Sequence, residues 1–397
     1  AQRGRQTLVL VPEIGLTPQL VARFRARMDC PIAVLHSGLA DGERLRAWRD
    51  ARDGRALVVI GTRSAIFTPM PELGLIVVDE EHDPSLKQQD GFRYSARDLA
   101  VVRAERAAAP VVLGTATPSL ETLRNARSGR YSELRLPDRP GSTRHPDIRL
   151  IDLKRHPPRE GLSGPLIERM RQHLDRDGQV MVFLNRRGFS PVLFCGDCGW
   201  AADCPRCDAR MVYHRRARRL RCHHCGREAA VPEVCPECAS PLQAVGLGTE
   251  RLEDALAREV PGVPVARLDR DSTQRKDSAA RVLEDMREGN VRILAGTQML
   301  TKGHDFPGVS LVAVLDADHG LFGTDFRSSE RLAQTLTQVA GRAGRRETPG
   351  EVLIQTSCPD HPLLSVLLTG GYEAFAAEAL AEREASGWPP YSYLALV

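Results

Sequence analysis

The chain has 397 residues, of which 42% are hydrophobic, and a formal net charge of +4. That length suits more than one core, because single cores stop growing near roughly 250–300 residues. No run approaches the roughly eighteen apolar residues of a membrane span and no charged-then-apolar leader opens the chain, so a soluble cytoplasmic protein with no membrane partner is expected; with so small a net charge, any nucleic-acid role must rest on local clusters of Arg and Lys.

The first elements are short β-branched or Leu-rich runs, Thr7–Val11, Leu57–Ile60, Leu75–Val78 and Val111–Leu113, separated by the helix-like segments Pro18–Met28, Gly42–Arg52 and Ala96–Ala107. Buried strands alternating with helices of this length predict a parallel sheet covered on both faces. The run Leu75–Val78 delivers Asp79, Glu80, Glu81 and His82 at its carboxyl end, the edge where open α/β sheets bind ligands. Asp79 is placed to hold Mg²⁺, directly or through water, and Glu80 to orient or deprotonate a water that attacks a γ-phosphate. Thr115 and Thr117, in Gly114-Thr-Ala-Thr-Pro118 after the next strand, are positioned to bond the acidic cluster or the histidine and so sense nucleotide state; a plain βα turn is the alternative.

Residues 131–165 hold Pro137, Pro140, Pro146, Pro157, Pro158 and Pro165, a density that suits an extended connection. A second strand set follows: Val180–Leu184, Val265–Leu268, Arg292–Ala295, Leu311–Leu315 and Val352–Gln355. After Arg292–Ala295, residues 296–308 offer Lys302, hydroxyls and backbone N–H groups to the phosphates of a strand or nucleotide, with Asp305 to position arginines or a ribose. Further on, Gln338-Val-Ala-Gly-Arg342-Ala-Gly-Arg345 puts two arginines three apart on what should be one helix face, able to clamp a triphosphate as its γ-phosphoryl leaves. The expected domains are a first lobe over 1–130, a connection over 131–165, a second lobe over 166–194 and 239–357, a cysteine domain over 195–238, and the start of a C-terminal domain over 358–397.

Eight of the ten cysteines form Cys195-x-x-Cys198, Cys204-x-x-Cys207, Cys222-x-x-Cys225 and Cys235-x-x-Cys238. Each two-residue gap presents both sulfurs to one ion, and eight thiolates make two tetrahedral sites for which Zn²⁺ is the default metal. Spacing alone leaves nested and sequential pairing open, with iron–sulfur clusters a minority alternative. Between the inner pairs, residues 214–221 are the densest basic run, suited to DNA phosphates, to an acidic partner or simply to a solvated hairpin tip.

Read in order, these segments resemble the motif series of superfamily 2 helicases. Residues 11–19 are similar to motif Ia, 61–67 to motif Ib, Asp79-Glu-Glu-His82 to the DEAH-type motif II and 114–117 to motif III; 183–189, 296–308 and 338–345 are similar to motifs IV, V and VI. Glu80-Glu-His-Asp83 running into Lys87-Gln-Gln and Arg93-Tyr94-Ser-Ala-Arg97-Asp98, with the cysteine block after motif IV, resembles specifically the primosomal replication protein N′ (PriA) family. The resemblance implies two RecA-like parallel-sheet α/β lobes, the first incomplete, with a two-zinc insertion in the second. It implies an ATP-dependent 3′–5′ DNA helicase that recognises stalled forks and initiates primosome assembly. Catalysis would fall to Asp79, Glu80, His82, Arg342 and Arg345, and ATP coupling to Thr115, Thr117, Asp305 and Gln338. DNA contact would fall to Arg63, Lys87, Phe92, Arg93, Tyr94 and Lys302, the middle four in an aromatic-rich loop that couples DNA contact to hydrolysis. The implied partners are single-stranded and forked DNA, primosome proteins, the replicative helicase with its loader, and single-stranded DNA-binding protein. By the same comparison one zinc takes Cys195, Cys198, Cys235 and Cys238, and the other takes Cys204, Cys207, Cys222 and Cys225.

No Gly-x-x-x-x-Gly-Lys-Ser/Thr loop occurs. In the family that loop precedes motif Ia, and the chain begins at Ala1 rather than Met and stops at Val397 inside an apolar stretch. Both ends are therefore read as cuts through a larger protein, and the piece alone is expected to hydrolyse ATP poorly or not at all. The rival reading is a catalytically inactive, zinc-dependent DNA- or protein-binding scaffold on a helicase fold.

Overall fold

A computed structural model of the chain describes residues 4–12, 17–89, 91–136, 146–185, 192–195, 197–198, 200, 202–206, 211–214, 218–222, 226–245, 249–269, 278–301, 306–321, 325–344 and 350–394. Lys302, Asp305, Arg345, Cys207 and Cys225 lie outside the described residues. The chain divides into two compact units, one built mainly on Ala1–Pro137 with Gly370–Val397, the other on residues between Asp138 and Thr369.

The first unit holds β1 (Gln6–Leu10), β2 (Ile32–Leu35), β3 (Val58–Gly61), β4 (Leu73–Asp79) and β5 (Val111–Gly114), in the order β2-β3-β1-β4-β5. All its pairings are parallel. Alternate residues of a strand face opposite sides, so Leu8 and Leu10 enter one core while Val9 and Val11 enter another. The helix Ala96–Arg106 buries Ala96, Ala100 and Ala104, an i, i+4 stripe of small side chains against the sheet. Gly61 ends β3 where a short 3₁₀ helix, Arg63–Phe67, folds back. A Cβ on Gly61 would stand 2.6 Å from the Leu35 carbonyl oxygen, so only glycine fits there.

The second unit begins with β6 (Asp147–Asp152) and β7 (Gln179–Leu184). The chain then leaves for an insert of five short strands: β8 (Val192–Cys195), β9 (Val212–His214), β10 (Arg219–Arg221), β11 (Glu228–Ala230) and β12 (Leu242–Val245). β8 and β12 pair antiparallel at its entry and exit, and β9, β10 and β11 form an antiparallel sheet. The main sheet resumes with β13 (Val265–Leu268), β14 (Ile293–Gly296), β15 (Val309–Leu315) and β16 (Glu351–Thr356), giving the parallel order β13-β14-β7-β15-β16-β6. With β6 set aside, this is the first sheet's order, strand for strand. Its core is closed by the helix Gly164–Asp175, which buries Leu166, Met170 and Leu174 under Val180, Val182 and Leu184.

Two segments differ from the sequence reading. β6 lies inside the stretch read as an inter-lobe connection, and pairs with β16 over Asp147–Asp152 as the edge of the second sheet. Of residues 358–397, read as the start of a C-terminal domain, Gly370–Val397 groups with the first unit and the stretch up to Thr369 with the second. Among the described residues one helix, Pro362–Ala385, is long and apolar enough by length and composition to cross a membrane. It is broken at Gly371, whose φ of 69° lies in the left-handed region, and Leu364, Ala376 and Leu380 on it are buried.

Candidate active site and cysteine centre

β4 ends at Asp79, whose register partner is Gly114 at the end of β5, so the acidic turn and the threonine turn leave the sheet side by side. Burial pushes the Asp79 carboxyl above the usual carboxylate range, partly opposed by the hydrogen bond from the Glu80 N–H to its Oδ1 at 3.1 Å. Its other oxygen has no hydrogen-bond partner among the described residues. Glu80 has a φ of 48°, uncommon for a residue with a Cβ, and its side chain is 27% exposed. A half-buried carboxylate with a free oxygen beside a strained, accessible one suits a hard divalent cation and a water at this edge.

His82 ties the two turns together. Its Nδ1 lies 2.8 Å from Thr115 Oγ1 and 3.7 Å from Glu80 Oε2, and its Nε2 lies 3.4 Å from Thr117 Oγ1. Thr115 Oγ1 also accepts the Thr117 N–H at 2.9 Å. The imidazole thus stands between the threonine turn and Glu80.

Glu81 is the residue that sequence reasoning quoted but gave no role. Its side chain is fully buried and accepts hydrogen bonds from Ser119 N (2.7 Å), Ser119 Oγ (3.0 Å), Thr122 Oγ1 (2.9 Å) and Arg97 Nη1 (3.3 Å). It thereby fixes the first turn of the helix Leu120–Arg127, whose N-cap is Ser119. Burial alone would lower the Arg97 pKa, but the carboxylates of Asp98 and Glu81 more than offset it and raise it. The next carboxylate, Asp83, caps the 3₁₀ turn Pro84–Leu86 through the Ser85 N–H at 2.8 Å.

The loop that follows is closed by a bridge between Lys87 and Ser95 and by the Gln88 N–H on the Tyr94 carbonyl at 2.8 Å. Lys87 and Arg93 are exposed, and Phe92 is 78% exposed, a large apolar face left to solvent. The Phe92 and Tyr94 rings lie 6.0 Å apart, and Tyr94 meets Phe67 edge-on at 4.8 Å, so Phe67 extends the aromatic strip by a third ring. Arg63, read as a DNA contact, donates to the carbonyls of Ser85 and Lys87, each at 3.0 Å, and so braces this loop.

In the second unit the helix Ser328–Ala340 carries Gln338, half-buried, and ends before the arginines. Arg342 therefore sits on the turn beyond the helix, not on a helix face. Gly341 caps the helix, and Gly344, with a φ of 68°, turns the chain so that its N–H reaches the Val309 carbonyl at 3.1 Å. Glu330 and Gln334 are buried at four-residue spacing on the face that carries Gln338, a polar stripe the sequence reading passed over.

In the insert, the Sγ atoms of Cys195, Cys198, Cys235 and Cys238 all lie within 4.8 Å of one another. The Cys195–Cys238 and Cys198–Cys235 sulfurs are 3.4 and 3.5 Å apart, too far for disulfides and close to the roughly 3.8 Å edge of a tetrahedron with ~2.3 Å zinc–sulfur bonds. Four convergent thiol donors fit Zn²⁺. The pair Cys235/Cys238 is a tight knuckle in which the Cys235 N–H donates to Ser240 O (2.9 Å) and the Ala239 N–H to Cys235 O (2.9 Å). The same two bonds recur at the inner pair, from Cys222 to Arg227 O (2.7 Å) and from Gly226 to Cys222 O (2.9 Å). Cys204 and Cys222 are both buried in the insert's small core. Arg218, Arg219 and Arg221 of the basic run are exposed, the last two beside Glu228.

Comparison with known proteins agrees with this arrangement. Residues 1–126 match the DEAD/DEAH box helicase family, 245–347 the helicase conserved C-terminal domain, and 204–229 the PriA DNA helicase Cys-rich region domain. The replication restart protein PriA of Haemophilus influenzae is 53% identical over 395 residues, 99% of this chain and 54% of that protein. That of Bacillus subtilis is 46% identical over 399 residues, 100% of this chain and 50% of that protein. The chain spans about half the length of these curated relatives. Among solved structures, RecG bound to a three-way DNA junction matches with a TM-score of 0.51 at 17% identity, over 95% of this chain and 40% of that one. The DUF1998 helicase MrfA bound to DNA matches with a TM-score of 0.52 at 13% identity, over 94% of this chain and 45% of that one. These two likenesses bear on the fold alone: paired RecA-like lobes.

Proposed function

We propose, for a chain that belongs to the PriA family of superfamily 2 helicases, that its full-length protein is an ATP-dependent DNA helicase of replication restart. It unwinds in the 3′ to 5′ direction, recognises stalled forks and initiates primosome assembly with the replicative helicase, its loader and single-stranded DNA-binding protein, in the cytoplasm. The observation that carries this reading is the joined pair of turns at the carboxyl edge of the first sheet, where His82 binds Thr115 and Thr117 beside Asp79 and Glu80.

When bound, Mg²⁺ would neutralise phosphate charge at Asp79. Glu80 orients the attacking water and accepts its proton, and the low polarity that raises the Asp79 pKa also strengthens every charge interaction there. Arg342 and Arg345 stabilise charge on the departing γ-phosphoryl, and Gln338 and Asp305 position the nucleotide. The hydrogen bonds between His82 and the hydroxyls of Thr115 and Thr117 link nucleotide state to the threonine turn. DNA bases stack on Phe92, Tyr94 and Phe67 while Lys87, Arg93 and Lys302 meet phosphates, and Arg63 acts by holding the loop. Two zinc ions are held, and the repeated knuckle at Cys222 and Cys235 supports the second site as well as the first.

The test is strand displacement by the full-length protein on partial duplexes bearing a 3′ or a 5′ single-stranded tail. ATP-dependent unwinding of the 3′-tailed substrate, with little on the other, is expected. Unwinding only from the 5′ tail contradicts the polarity, and DNA binding without unwinding on either favours an inactive scaffold.

A further inference from the structure

Within the first unit, the threonine turn is held from two sides. On one side stand the acidic turn and its residues His82 and Glu81, as described above. On the other stands a segment more than 250 residues later in the chain, Gly370–Val397, which groups with this unit. Tyr372, only 7% exposed, donates its hydroxyl to the Pro118 carbonyl at 2.7 Å. Pro118 is the residue after Thr117 and the one before the N-cap Ser119. Arg124, one turn into the helix that Ser119 opens, donates Nη1 to the Pro390 carbonyl at 2.7 Å. Its guanidinium also lies 4.6 Å above the Tyr391 ring.

The late segment is itself braced. Arg383, buried, donates to the Pro389 carbonyl at 3.2 Å, the Trp388 N–H donates to Arg383 O at 2.9 Å, and the Tyr391 N–H donates to Trp388 O at 2.9 Å. The break at Gly371 starts the second half of the helix at Tyr372, whose ring packs 5.8 Å from that of Phe375. Two anchors, one at Pro118 between Thr117 and the N-cap and one at Arg124 within the helix Leu120–Arg127, each a directional bond to a main-chain carbonyl, hold the helix and the turn that leads into it.

We infer that Gly370–Leu394 is a strap that positions the Thr115–Thr117 turn against His82, with Tyr372 and Arg124 as positioning residues for coupling ATP hydrolysis to DNA. The inference rests on the proposed reading of the Asp79–Glu80 site as a DNA-stimulated ATPase. The bonds of Tyr372 to Pro118 and of Arg124 to Pro390 lie on the side of the threonine turn, and both residues act through it. The strap sets how firmly Thr115 and Thr117 hold the imidazole, and hence how much of any DNA-driven shift reaches Glu80. A physical coupling of this kind needs a packed element that both sites bias, and the helix Leu120–Arg127 supplies one.

The test uses the full-length protein and the variants Tyr372→Phe, which keeps the ring and removes the donor, and Arg124→Lys, which keeps the charge and removes the planar stack. Three quantities are read: the ratio of ATPase with single-stranded DNA to that without, the KM for ATP, and the melting temperature. Tyr372→Phe is expected to lower the stimulation ratio about fivefold, the factor that one lost hydrogen bond of ordinary strength commands, with KM unchanged. Arg124→Lys is expected to lower it in the same direction. A purely structural role would lower the melting temperature and leave the ratio intact, and that result overturns the inference. Should Arg124→Lys fail to fold, Tyr372→Phe alone decides. If the unmodified protein shows no DNA stimulation, the functional reading fails and takes the strap's role with it, an outcome distinct from a variant that is stimulated normally.

Discussion

Two adjacent carboxylates on one turn, Glu80 and Glu81, have opposite physical roles, and substituting them one at a time separates the roles. Glu81 has no exposed side-chain surface and accepts four hydrogen bonds, one from the guanidinium of Arg97. Glu81→Ala breaks a buried ion pair, at about 3–5 kcal/mol, and weakens the N-cap of the helix Leu120–Arg127, at about 1 kcal/mol. The two losses share Ser119, so they do not add, and about 4 kcal/mol is the expected total. For a unit of this size that lowers the melting temperature by about 8–16 °C. Glu81→Gln keeps the shape and one acceptor, and about half the loss is expected, roughly 2 kcal/mol. Glu80→Gln leaves the backbone as it is and alters a side chain that is 27% exposed, so a change within about 0.5 kcal/mol is expected. The assay is thermal unfolding followed by circular dichroism, with hydrogen exchange over residues 119–127 to assign the loss to this helix. A Glu81→Ala protein that melts with its parent, or a Glu80→Gln protein that loses as much as Glu81→Ala, would refute the division of roles.

Three further outcomes follow from other sites. At the opposite end of the second sheet, burial pushes the buried Glu351 carboxyl upward, but Arg169 at 2.8 Å and His173 at 2.9 Å outweigh it and hold its pKa below the usual 4.5. A folded-state pKa depressed in this way gives stability that is present above the unfolded value and lost as pH falls through the folded one. The urea midpoint should therefore drop below pH 4.5, and drop less in Glu351→Gln; equal slopes for the two proteins would contradict the ion pair. Cys198→Ser or Cys238→Ser should release one of two zinc ions per chain, read by metal analysis against the parent, while one zinc in the parent would contradict the second quartet. Phe92→Ala should weaken binding of an oligothymidylate by roughly 1–3 kcal/mol in fluorescence anisotropy, the scale of one lost base stack, without lowering thermal stability, because its ring is 78% exposed. Unchanged affinity would remove this ring from the DNA interface.

Much of the fold is legible in the sequence because its buried strands are continuous apolar runs. Leu75–Val78, Val180–Leu184 and Leu311–Leu315 could be placed in parallel sheets from that property alone, and the acidic turn follows since its strand ends at Asp79. The cysteine spacing likewise announces thiol metal sites, and the outer quartet closes as the nested pairing requires. β6 was hidden because an edge strand buries little: Asp147–Asp152 mixes exposed and half-buried positions and sits among prolines that read as connection. The arginine turn was hidden because small residues around Gly341 are compatible with helix in isolation, whereas Gly344 takes a left-handed conformation to reach Val309. Glu81 and Glu80 are the same residue type at neighbouring positions, and only the fold reveals which one points into the protein. Contacts such as Tyr372 with Pro118, or Phe67 with Tyr94, join residues far apart in sequence and leave no periodic trace.

The central claim, that the joined acidic and threonine turns form a DNA-responsive ATPase site, is tested most directly by measuring single-stranded-DNA-stimulated ATP hydrolysis in the full-length protein and in its Glu80→Gln variant. The account predicts turnover that rises with DNA in the parent and is abolished in the variant while nucleotide still binds. No DNA-dependent hydrolysis in the parent, or full hydrolysis in the variant, would contradict it.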